Sequence, residues 1–140
     1  MNRENFPILE NNIIYLDNGA TSLKPQCVID KITDYYKNYS ANAHRGDYDL
    51  SLKVDYEYEN ARDLVKDFIN ARFREEIIFT SGATDSLNMI ATGFFKDLLE
   101  PEDEIIITKS EHASNVLPWF RLAKEIGCTI IKHEVNKGKG

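Results

Sequence analysis

The chain changes hydrophobic rhythm near residue 70. Before it, apolar positions mostly recur at helical spacing; after it, continuous apolar runs alternate with helical stretches. Ile13 to Asp17, IIYLD, is a short apolar run that predicts a strand, and the turn-prone stretch Asn18 to Ser22 follows it. Pro25 suits the first turn of a helix, where its missing N–H costs nothing. Val28, Ile29, Ile32, Tyr35 and Tyr36 fall on one face of that helix. Residues 40–50 keep no period and read as a loop. Ser51 is expected to cap the next helix, in which Val54, Tyr58, Ala61, Leu64, Val65, Phe68 and Ile69 hold helical spacing to about residue 70.

From Glu76 the pattern predicts strand, helix, strand, helix, strand. Ile77, Ile78 and Phe79 form a continuous apolar run, as in a strand covered on both faces. A glycine turn then leads into a helix that opens on Thr84 and carries Leu87, Ile90, Ala91, Phe94 and Phe95 on one side; Pro101 closes the loop that ends it. Glu104 to Thr108, EIIIT, reads as a second buried strand, and Lys109 to Asn115 as a polar loop. The helix after it bears Trp119, Leu122, Ala123 and Ile126, and Gly127 is placed to end it in a left-handed cap. Thr129 to Val135 predicts a third strand, and residues 136–140 hold no core residue. Strands alternating with helices imply an α/β fold with a parallel sheet and right-handed crossovers.

Composition narrows the partners. The 140 residues suffice for one domain, and 42% hydrophobic with 29% charged residues reads as globular. The formal charge is −6 and no stretch is strongly basic, which argues against nucleic acid and anionic membranes as partners. The apolar runs are far too short to span a bilayer, and residues 1–12 lack the apolar core of a signal peptide, so the expected location is cytoplasmic. Cys27 and Cys128 make no disulfide framework and are expected to be small buried hydrophobes. The three histidines and two cysteines have no metal-ligand spacing, so no metal is expected.

Three stretches could carry chemistry. Ser81-Gly82-Ala83-Thr84 joins a predicted strand to a predicted helix. Such a turn aims free backbone N–H groups and the positive end of a helix dipole at one point, a place to hold a phosphate. It is equally consistent with an ordinary tight turn, and it matches neither a Walker loop nor GxGxxG. His112, in Ser110 to Asn115, follows a predicted strand and so falls on the same carboxyl edge of the sheet, where parallel sheets bind ligands. An imidazole there can stack on an aromatic cofactor or move protons near neutral pH. Asn42 to Gly46 holds His44 and Arg45, either as a solvated polar loop or as a carboxylate-binding one. His133, inside the last predicted strand, reads as structural.

Taken in order, YLDNGATSLKP, NAHRG, FINA, IIFTSGATDSLNMIA and DEIIITKSEHASNVLPW resemble the class V aminotransferase-like enzymes that use pyridoxal phosphate. Within them the motifs look most like the SufS-like cysteine desulfurases, with HRG and EH…N..PW favouring that branch. Any one motif is weak, but five in family order cover nearly the whole chain. The resemblance implies the N-terminal part of the large domain of a fold-type-I pyridoxal-phosphate enzyme: residues 1–20 as an N-terminal segment and 21–140 as a partial cofactor-binding domain. It implies that Ala83, through its backbone, and Thr84 hold the cofactor phosphate, and that His112 stacks on the pyridine ring and helps proton transfer. Ala20 and His44 would line the amino-acid pocket, and Arg45 and Asp85 would form an ion pair near a dimer-linked site. Ala113 departs from the second histidine that many members carry.

The implied reaction takes sulfur from L-cysteine, leaving alanine, onto an enzyme cysteine as a persulfide, and passes it to a sulfur-acceptor protein for iron–sulfur cluster assembly. The intact family is expected to be homodimeric. Lys109, Cys27 and Cys128 do not match the family's cofactor lysine or persulfide cysteine, so the 140 residues read as an N-terminal piece that is inactive and poorly soluble or molten when isolated. The alternatives are a non-catalytic remnant or accessory chain, a selenocysteine lyase, or an aminotransferase.

Overall fold

The protein is described from a computed structural model over residues 2–134. It divides into two compact units, Met1–Ile77 and Ile78–Gly140.

The first unit opens with two short 3-10 turns, Arg3–Asn5 and Pro7–Asn11. Arg3 straps the second turn to the next segment, its Nη2 donating to the carbonyls of Leu9 at 3.1 Å and Ile13 at 2.8 Å. The strand expected over Ile13 to Asp17 does not form. Strand backbone needs a ladder partner for its N–H and C=O groups, and among the described residues the paired strands lie elsewhere, in the second unit. Ile14 and Leu16 are left mostly in solvent. Helix α1 spans Gln26–Asp34, directly after Pro25. Tyr35–Tyr39 continue it as one wide π turn. There the ring of Tyr35 meets Tyr36 and Tyr39 edge-on, and the buried Tyr39 ring lies 4.2 Å from Lys53 Nζ.

Helix α2, Asp49–Phe68, starts two residues before the expected cap. Ser51 is therefore not a cap: it is fully buried inside the helix, and its hydroxyl donates to the Asn42 carbonyl at 2.8 Å. A Cβ on Gly46 would come within 2.8 Å of the Ser51 side chain, so the loop requires glycine for that approach. The far end of α2 is tied to residues 74–77 by charge. Arg62 donates to the carbonyls of Ile77 and Arg74, at 3.1 and 2.9 Å. Arg74 forks onto Asp63, with Nε at 2.9 Å from Oδ1, and reaches Glu59 at 3.3 Å. These bonds hold the Asp63 carboxyl below its ordinary pKa. Cys27, expected to be buried, is exposed on α1; its helix presents that position to solvent rather than to a core.

In the second unit, Phe79 and Thr80 lead without regular structure into α3, Ala83–Gly93. The strand expected over residues 77–79 is thus also absent, again for want of a ladder partner: Ile77 is buried, while Ile78 is about two-thirds exposed. The helix after the glycine turn stops at Gly93, short of Phe94 and Phe95, which were expected on its face, and the elements after it form as expected. β1, Glu104–Thr108, and β2, Thr129–His133, pair in parallel, in register from Glu104 opposite Thr129 to Thr108 opposite His133. α4, Leu117–Ile126, is the crossover between them. Gly127 ends it at φ 97°, the left-handed cap. Ala91, Ile107, Leu122, Ala123 and Cys128 form the core. The Phe95 and Trp119 rings meet edge-on at 5.6 Å. His133 ends β2, exposed; Val135, expected to extend the strand, lies outside the described residues. Among the described residues no helix is long and apolar enough to cross a membrane.

Candidate functional site

The carboxyl ends of the parallel strands set the site, because loops leaving them emerge on one edge. The β1 loop carries His112, which caps a 3-10 turn, Ala113–Asn115. Its Nδ1 accepts the Ser114 backbone N–H at 3.2 Å and lies 2.8 Å from Ser114 Oγ. A ring nitrogen that accepts an N–H bears no proton, so in the neutral ring the proton sits on Nε2. The His112 carbonyl in turn accepts the Asn115 N–H at 2.8 Å.

The opposing wall is the start of α3. Gly82, at φ 156°, adopts a backbone that residues with a Cβ rarely use, and a Cβ there would meet open space. Its carbonyl receives the first helical bond, from Ser86 N at 3.1 Å. The N–H groups of Ala83, Thr84 and Asp85 precede that bond, so they are the donors that a helix start leaves without intrahelical partners. The helix opens at Ala83 rather than at Thr84, so Thr84 is in the first turn and does not cap. Asp85 turns its carboxylate back to Ser81, accepting from its N–H at 3.2 Å and its hydroxyl at 3.1 Å.

Thr84 and His112, singled out separately from sequence, face one open groove of about 410 Å³, with Asn88, Ser114, Pro118 and Arg121 also on its walls. Asn88 and Arg121 escaped the sequence reading. Helical spacing offered the only signal: Asn88 is one turn beyond Thr84, and Arg121 falls on the exposed side of α4. A groove with Thr84 of a helix start on one wall, an imidazole on another and a guanidinium beside them suits an anionic group joined to a flat ring.

The first unit holds the other expected residues. Ala20 sits in the turn closed by its own N–H to the Asp17 carbonyl, at 3.1 Å. His44 is held at φ 59°, its N–H donating to Asp55 Oδ1 at 2.6 Å. Its ring stands edge-on to Tyr58, with Nδ1 3.5 Å from Asp55 and Nε2 3.8 Å from Glu59. Arg45 is exposed on the same loop.

A family model for class V aminotransferases matches residues 14–139. The chain belongs to the class V aminotransferases. It is 52% identical over 128 residues to a probable cysteine desulfurase of Ureaplasma parvum, covering 90% of this chain and 31% of that protein. It is 41% identical over 135 residues to the probable cysteine desulfurase of Vibrio cholerae, covering 93% and 33%. The solved apo cysteine desulfurase of Thermococcus onnurineus NA1 superposes with a TM-score of 0.89 at 40% identity, over 99% of this chain and 34% of that one. The chain thus spans about a third of the length of the curated relatives it matches, with the α/β fold of the corresponding part of a cysteine desulfurase.

Placed in that family, the EH…N..PW stretch of this class V aminotransferase divides its labour. His112 faces the groove. Glu111, Asn115 and Trp119 turn to one another beneath it: Asn115 Nδ2 donates to Glu111 Oε2 at 3.0 Å, and Trp119 Nε1 donates to Asn115 Oδ1 at 3.0 Å.

Proposed function

We propose that the protein is a pyridoxal-phosphate-dependent cysteine desulfurase of the SufS-like branch, of which these 140 residues carry part of the cofactor-binding domain, residues 21–140, behind an N-terminal segment, 1–20. The observation that carries this reading is the shared groove of Thr84 and His112. The donors at the start of α3 fit a phosphate: the Ala83 and Thr84 N–H groups, the Thr84 hydroxyl and the positive end of the helix dipole. The cofactor, when bound, supplies an electron sink for carbanion chemistry at the amino-acid α-carbon. This chain's part is to hold and orient. Ala83 and Thr84 anchor the phosphate, and the His112 ring lies against the pyridine and keeps a proton on Nε2 for transfer within the groove.

L-cysteine is the proposed substrate and alanine the product, with sulfur leaving as a persulfide on an enzyme cysteine toward an acceptor protein for iron–sulfur cluster assembly. Ala20 and His44 are proposed contacts to the amino acid. Arg45 and Asp85 are proposed as an ion pair in a cytoplasmic homodimer. Likeness to cysteine desulfurases favours this reading over an aminotransferase or a selenocysteine lyase.

The test uses the intact protein with added pyridoxal phosphate and L-cysteine. Expected are cofactor absorbance that borohydride makes permanent, and alanine formed in step with sulfide under a thiol reductant. H112A is expected to lower kcat by a factor of about 100 or more, and T84A to weaken cofactor binding. Turnover that requires a keto acid would replace the desulfurase with an aminotransferase. A preference for selenocysteine would make it a lyase, and absence of cofactor absorbance would leave a non-catalytic piece.

A further inference from the structure

The groove explains what His112 faces, but not why its ring stays there: the residue is exposed and its loop holds only a single 3-10 turn. The bonds beneath it supply the reason. The Asn115 backbone N–H closes the turn on the His112 carbonyl at 2.8 Å. The Asn115 amide then locks that turn to both neighbouring elements. Toward α4, Oδ1 accepts the Trp119 indole N–H at 3.0 Å; toward the end of β1, Nδ2 donates to Glu111, whose other oxygen accepts the Thr108 hydroxyl at 3.2 Å. An indole N–H can only donate and a carboxylate can only accept, so one amide orientation alone satisfies both.

We infer that Asn115 is the positioning residue for His112, fixing the turn that aims the ring into the groove by bridging Glu111 and Trp119. The role assigned to His112 rests on the proposed function; the bridge itself does not. Asn115 touches nothing that reacts. Its side chain works through the backbone of the His112 turn, and Ser114, held in the same turn, sets the ring's tautomer.

The arrangement predicts a rescue. N115D keeps the acceptor for Trp119 but sets a carboxylate against that of Glu111. E111Q with N115D restores the pairing with donor and acceptor exchanged. The amide introduced at position 111 donates to the carboxylate introduced at position 115, and its oxygen still accepts from Thr108.

Trp119 is the only tryptophan among these 140 residues, and in the intact protein its indole N–H is identified as the signal that W119F removes. Exchange of that proton with solvent, and the imidazole nitrogen shifts of His112, are measured by NMR on the full chain without cofactor. Expected in the parent are a protected indole N–H and a single Nε2–H tautomer. N115D is expected to speed indole exchange about tenfold, because repulsion from Glu111 swings the new carboxylate away from the indole and breaks that hydrogen bond, and to average the His112 nitrogen shifts; E111Q/N115D returns both. An unprotected indole in the parent overturns the inference, as do His112 shifts that N115D leaves in place, or a double variant no better than N115D. Should N115D unfold, refolding in the double variant supports the bridge and continued unfolding refutes it. Failure of the desulfurase reading would show as missing alanine and sulfide, with these signals unaffected.

Discussion

The two units are held together by different physics. The second buries a continuous apolar core, Ala91, Ile107, Leu122, Ala123 and Cys128, under a crossover helix. The first buries Tyr39 and Ile77 among its apolar residues and fastens its segments with charged and polar straps: Arg3 on two carbonyls, Ser51 on Asn42, and Arg62 and Arg74 on α2 and the residues after it. A unit whose strands and crossover are contiguous in sequence can close its own core. One whose apolar run needs a distant partner strand cannot, and it relies on local polar bonds.

The largest expected effect breaks the apolar side of that contrast. Leu122 is 1% exposed, and L122A should cost about 2–5 kcal/mol in urea unfolding of the second unit. A loss below about 1 kcal/mol would mean that the core is not the support described. Next, Gly127 holds φ 97° with its nearest added-Cβ contact at 3.8 Å, so G127A meets backbone strain without a clash. It should cost roughly 1 kcal/mol, read as faster amide exchange in α4.

The smallest effect probes the polar side. Hydrogen bonds from Arg74 lower the Asp63 pKa, so the native state favours the ionised carboxylate. That contribution is complete above the ordinary aspartate value of ~3.9. It is lost as the pH falls through the lowered native value. Both groups are substantially exposed, so the loss is small. Acid should loosen residues 74–77 before it loosens α4, by amide exchange, and D63N should remove that pH dependence. Identical acid profiles for the two segments would erase the contrast.

Legibility followed the same divide. β1, α4, the Gly127 cap and β2 were readable because period, cap and partner all lie within one short contiguous stretch, Glu104 to His133. The runs at 13–17 and 77–79 have the composition of strands, yet composition does not supply a ladder, and neither forms one. Ile14, Leu16 and Ile78 are left exposed as a result, as is Ile106 on β1. In the site, Thr84 and His112 were legible as ends of predicted elements, and the groove unites them. The bridge through Asn115 was not, because its meaning depends on which way a side-chain amide points, which spacing does not encode.

The distribution of aromatic residues also divides the chain optically. All seven tyrosines, including the Tyr35, Tyr36 and Tyr39 cluster, belong to the first unit, and the sole tryptophan, set against Phe95, belongs to the second. Within these 140 residues, indole fluorescence therefore reports on one half and phenol absorbance on the other, with no label attached. Two melting curves recorded on one sample would tell whether the halves come apart together or in sequence.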